Sequence, residues 1–196
     1  MRIDILLPYR EKFTLTKASA VSTSVKNSIT HSSYRNDIKI FGHSVENPML
    51  QKNFVGIKTN RFIHFSNNIS LIKNYLKLNK NNNEKKLIEI HNRPYLLKYL
   101  FHKTSHNPVI LYFHNDPIKM RGSISIKERV NILKNVSGLV FVSKFLKEKF
   151  LEGINIESSK LFVVPNSLDI NKNASLDKKK KRILFVGRLV NEKGVQ

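Results

Sequence analysis

Val109-Ile110-Leu111-Tyr112-Phe113-His114-Asn115-Asp116-Pro117 is the stretch whose reading decides the fold. Five apolar residues run without polar alternation, then a histidine, an asparagine, an aspartate and a proline close the run. A strand that is apolar on both faces belongs to a sheet covered on both faces, which is the habit of parallel α/β sheets. The stretch over 87–90 repeats the pattern: an apolar run delivers His91-Asn92-Arg93-Pro94, again a His-Asn pair followed by a proline. A third run, Leu139-Val140-Phe141-Val142, is also apolar on both faces.

Working outward, the chain alternates strand and helix. Strands are expected over 3–7, 38–41, 87–90, 109–113, 138–142 and 160–164. Helices are expected from 14 to about 29, around Ile69, Ile72, Tyr75 and Leu76, over 95–101, over 128–136, and over 144–150 with Ser143 as N-cap. Residues 79–86 read as a polar, solvated turn, and the stretch holding Phe62, Ile63, His64 and Phe65 fits neither period. The fold class is therefore α/β: a Rossmann-like parallel sheet with helices on both faces. Residues 1–169 make that domain. Residues 170–181, rich in Asn and Lys, read as a linker, and 182–196 read as the first strand and loop of a second domain continuing past Gln196.

The composition excludes several chemistries. With no cysteine among 196 residues there are no disulfides, no thiolate zinc site and no cysteine nucleophile. His102 and His106 stand four apart without a partner carboxylate or cysteine, so no metal site is expected. No segment near Met1 has signal-peptide or membrane-spanning form, and the chain is expected to be cytoplasmic, with peripheral contact to the inner face of the membrane as a further expectation. A net charge of +21 suits nucleic acid, anionic lipid or phosphorylated substrates. The lysines are scattered instead of forming a stripe interleaved with aromatics, which argues against nucleic acid.

Phosphate chemistry is legible near the end. The run Arg182-Ile183-Leu184-Phe185-Val186 reaches Gly187-Arg188, and Lys193-Gly194 follows where a helix begins. A helix N-terminus offers unpaired N–H groups to an anion at the carboxyl end of such a strand, and Arg188 and Lys193 add two full positive charges.

Four stretches together resemble the family 4 glycosyltransferases of the two-Rossmann-domain (GT-B) class: 90–94, 138–143, Val163-Val164-Pro165-Asn166-Ser167-Leu168-Asp169, and 183–194. The last two are the most specific, and the likeness is strongest beyond residue 85. The resemblance implies the amino-terminal half of a GT-B fold. It further implies an enzyme that transfers a hexose, with retention, from a nucleotide-diphosphate sugar co-substrate to a glycan or lipid-linked acceptor in cell-surface polysaccharide or lipopolysaccharide synthesis. No other cofactor and no metal are implied. His114 matches the family's cleft histidine, the catalytic candidate. Arg188, Lys193 and Gly187 match the site for the donor diphosphate. His91, Asn92, Arg93, Asn115 and Lys12 fall on the acceptor side. The chain departs from the family in the first loop, Tyr9-Arg10-Glu11-Lys12-Phe13-Thr14, where many relatives carry paired glycines. Two other readings stand beside this one. The first is a basic Rossmann-type module binding nucleic acid or anionic lipid. The second is a GT-B-fold nucleotide-sugar epimerase, whose catalytic carboxylates are not identifiable in this sequence.

Overall fold

The computed structural model describes residues 1–60, 62, 66–82, 84–101, 106–167 and 185. Its strands are β1 (Arg2–Leu6), β2 (Ile38–His43), β3 (Phe54–Ile57), β4 (Lys86–His91), β5 (Val109–Phe113), β6 (Gly138–Phe141) and β7 (Leu161–Val163). They form one 7-stranded sheet in the order β3-β2-β1-β4-β5-β6-β7, with every pairing parallel. The helices are α1 (Ala20–Thr30), α2 (Asn67–Leu78), α3 (Leu97–Phe101), α4 (Ile126–Asn135) and α5 (Lys144–Leu151). The chain walks outward from β1 to β3, recrosses through α2 to β4, and walks outward again to β7. The order thus reverses between β1 and β4, and the crevice beyond the carboxyl ends at such a reversal is where doubly wound sheets hold ligands.

The period of two in each strand sorts the core into two layers. Ile5 and Leu7 pack with Ile38, Ile40 and the α1 residues Val21, Val25 and Ile29. Leu6, Phe41, Ile88, Ile90, Leu111, Phe113, Leu139 and Phe141 pack on the other face against α2 to α5. Ile110 and Tyr112 are only half-buried, so β5 is less completely covered on its α1 side than an all-apolar run suggests.

Serine starts four of the helices. Ser19 and Ser22 form a capping box at α1, Ser125 and Glu128 another at α4, while Ser66 and Ser143 cap α2 and α5. These side chains accept N–H groups that the first helical turn leaves unpaired. They also correct two expected boundaries: α1 begins at Ala20 instead of Thr14, and α4 at Ile126 instead of Glu128. Strand β3 has no counterpart in the expected elements. It is four residues long with Gly56 inside it, too short and interrupted to show a period.

Lys86 was expected on a solvated turn, yet it is 2% exposed and opens β4. The cause is Asp4, wholly buried on β1 at 0% exposure. Its carboxylate accepts from Arg2 Nε at 2.6 Å and from the Tyr75 hydroxyl at 2.7 Å, with Lys86 Nζ at 3.5 Å. Lys86 also donates to Asn79 Oδ1 at 2.6 Å. Residues 95–101 put Leu96, Leu97 and Leu100 into the core, so core packing accounts for their apolar character. Among the described residues no helix is long and apolar enough to cross a membrane.

Candidate functional site

The histidines of the two similar loops meet. His91 on β4 is register partner to Tyr112 on β5, and His114 lies two residues beyond Tyr112 on the same face. The rings of His91 and Tyr112 stack at 4.6 Å, and those of His91 and His114 at 5.1 Å. His91 Nδ1 and His114 Nε2 are 2.8 Å apart and share one proton. Glu89, two residues back on the same face, brings Oε2 to 3.7 Å from His91 Nε2. A carboxylate there favours a proton on His91 Nε2, so His91 Nδ1 accepts from His114 Nε2–H and the lone pair of His114 Nδ1 remains free.

Burial, and then the neighbouring His91, push the His114 pKa down to about 3, so its imidazole is neutral at neutral pH. Burial and the Glu89 carboxylate raise the Tyr112 phenol above its ordinary range. His91 and His114 line a small cavity of about 60 Å³ with Glu89, Tyr112, Ser24 and Asn166. Asn166 reaches it because its Oδ1 accepts from Ser24 on α1 at 3.0 Å, while Ser167 O accepts from Asn27 at 3.2 Å. This ties the stretch after β7 to α1.

The loop after β4 is strained to hold this geometry. Asn92 and Arg93 take consecutive left-handed conformations, φ 53° and 59°, costing on the order of 1–3 kcal/mol each. In return Asn92 Oδ1 accepts the His114 N–H at 3.0 Å and Asn92 N–H donates to Tyr112 O at 2.8 Å. His91 is 3% exposed and Asn92 0%, so these two side chains position His114 and do not face solvent. Among the described residues His91 Nε2 and Asn92 Nδ2 are buried atoms with no hydrogen-bond partner, which is uncommon in a folded interior and costly where it occurs.

Arg93 and Asn115 open onto a larger cavity of about 490 Å³, lined also by Tyr95, Asp116, Lys119 and Arg121. Lys12 stands elsewhere, at the carboxyl ends of β1 and β2. Its ammonium lies 4.5 Å over the Tyr9 ring, and Tyr9 in turn packs at 4.5 Å on His43. Burial, and then the charge of Lys12, lower the His43 pKa. In place of paired glycines, the first loop is fixed by Asn68, which accepts the Tyr9 N–H at 2.8 Å, and by Glu11, which accepts from Ser19.

Of the residues singled out in the sequence, the structure thus gathers His91, Asn92, Arg93, His114 and Asn115 and separates Lys12 from them. Gly187, Arg188 and Lys193, the linker over 170–181 and His102 lie outside the described residues. Glu89, Tyr112, Lys119 and Arg121 are added to the candidate site. For Glu89 and Tyr112 the signal was the period of two: each sits two residues before a histidine already noticed. Among the described residues no group of three or more His, Cys, Asp or Glu is arranged to hold a metal ion. No protein-family model matches the chain, and a search of curated proteins returns no match.

Proposed function

We propose that the protein is a glycosyltransferase of the GT-B class, passing a sugar from a nucleotide-diphosphate sugar to a glycan or lipid-linked acceptor in cell-surface polysaccharide or lipopolysaccharide synthesis at the cytoplasmic face of the membrane. The observation that carries this reading is the His91–His114 pair. In it the neutral His114 imidazole stands beside the strand-order reversal of a Rossmann-like sheet, held by His91 Nδ1 and by Asn92 Oδ1 of a strained loop, while His91 Nε2 and Asn92 Nδ2 are buried without a partner among the described residues. The sequence motifs at 163–169 and 183–194 supply the second support.

In the proposed reaction the acceptor oxygen bonds to the anomeric carbon as the bond from that carbon to the diphosphate oxygen breaks. The bonding electron pair leaves with the diphosphate, which also takes the acceptor proton. Arg188 and Lys193 neutralise the charge growing on that leaving group, where preorganised cations act most strongly. His114, neutral at working pH, accepts a hydrogen bond from a sugar hydroxyl through Nδ1 and fixes the sugar against the attacking oxygen. In the whole protein, assayed over a panel of labelled nucleotide-sugars, Arg188→Ala and Lys193→Ala each lower kcat/KM by about 10–100-fold. Near-normal turnover in both variants removes the diphosphate assignment.

A further inference from the structure

The cavity of about 490 Å³ beyond β4 and β5 carries chemistry that the histidine pair does not use. Arg93, Lys119 and Arg121 supply three cations to its wall and Asp116 a single carboxylate. Asp116 Oδ1 is already engaged, accepting the Ile118 N–H at 3.1 Å. Among the described residues neither Arg93 nor Lys119 has an ion-pair partner, and Arg121 lies 5.2 Å over the Tyr95 ring. Asn115 adds an exposed amide. Lys119 and Arg121 are exposed, but the backbone that carries them is fixed. Gly122, at φ +92°, sits so close to Tyr95 that a Cβ would lie 2.5 Å from the Tyr95 nitrogen. Buried Ser123 donates to Pro117 O at 2.6 Å, and buried Arg129 donates to Ile124 O at 2.7 Å and to Glu152 O. The loop that carries Lys119 and Arg121 is thereby fixed on itself and on Glu152, and it packs closely against Tyr95, two residues after Arg93.

Two guanidinium groups and an ammonium lining one concave wall match the oxygens of a phosphate group. We propose that this cavity is a phosphate subsite next to the histidine pair, and that the acceptor enters the reaction carrying a phosphate or diphosphate seated there. The first half stands on the cavity alone, and the second rests on the transfer reading above.

The whole chain is titrated with inorganic pyrophosphate and then with a short-chain prenyl diphosphate, followed by calorimetry and by amide shifts of residues 115–122. Flotation with phosphatidylglycerol vesicles runs alongside. The expected result is saturable binding of both diphosphates, weakened about tenfold or more by Arg93→Gln and by Arg121→Gln. Lys134→Gln, at an exposed residue outside the cavity lining, should change it less than about twofold. Arg121 is exposed, so its variant keeps the fold even where Arg93→Gln disturbs the strained loop. Equal weakening by all three variants, or no saturable binding at millimolar pyrophosphate, overturns the subsite. So does vesicle binding that falls in Arg121→Gln while the pyrophosphate titration stays unchanged, because the residues then serve a membrane-facing patch. Pyrophosphate binding needs neither donor nor turnover, so failure of the subsite and failure of the transfer reading give different results.

Discussion

At the amino ends of β1 and β4, Asp4 meets Arg2, Lys86 and Tyr75, and the carboxylate, the two cations and the phenol are all partnered. At the carboxyl ends of β4 and β5, Glu89, His91, His114 and Asn92 are also buried or half-buried, yet among the described residues His91 Nε2 and Asn92 Nδ2 have no partner, and the backbone is strained. Both clusters place ionisable groups out of water. The first gives each of its charged groups a partner and joins β1, β4 and α2. The second leaves hydrogen-bonding capacity open beside two cavities. Satisfied networks hold folds together, whereas unsatisfied ones cost stability and persist where something else needs them.

The largest expected effect separates the two as structure from site. Asp4→Asn removes the carboxylate that faces the buried Lys86 and leaves Arg2 only the exposed Glu84 at 3.5 Å, which costs about 3–5 kcal/mol. Urea unfolding measures it, and a loss under about 1 kcal/mol would make the amino-end cluster no more than a surface pair.

That difference was only half legible in the sequence. The alternation of double-sided strands with helices was enough for a parallel sheet, and the repeated His-Asn ending pointed to the carboxyl rim. Lys86 was misjudged because its neighbours Asn79 to Lys85 are polar, and only the fold shows that Asp4 waits across from it. The pairing of His91 with His114 was hidden for a related reason: register between β4 and β5 is a tertiary fact, and a one-residue slip would have put the rings on opposite faces. Lys119 and Arg121 went unnoticed because they follow β5 on an irregular turn, where no period marks which side chains converge.

A smaller effect sharpens the comparison through pH. The His114 pKa of about 3 in the folded chain lies below the unfolded value of about 6.5. Below pH 6.5 the unfolded chain takes up a proton that the folded chain refuses. Stability is full above that pH and falls as pH drops toward 3, by on the order of 1 kcal/mol per unit at most. In urea unfolding at neutral pH and at two acidic pH values, His114→Gln should show a shallower acid slope than the native chain. An identical slope would mean that His114 titrates as an exposed histidine and is not held neutral by the pair.

The proposed function puts the working site at the carboxyl rim and gives the amino-end cluster a structural role only. It is tested most directly by measuring sugar transfer and unfolding together in His114→Ala and Asp4→Asn of the whole protein. The predicted result is that His114→Ala keeps its unfolding midpoint within a few degrees while kcat/KM falls about 100-fold or more. Asp4→Asn should lose stability while its folded fraction turns over normally. Transfer within about twofold of native in His114→Ala, with the fold intact, would remove His114 from the working site.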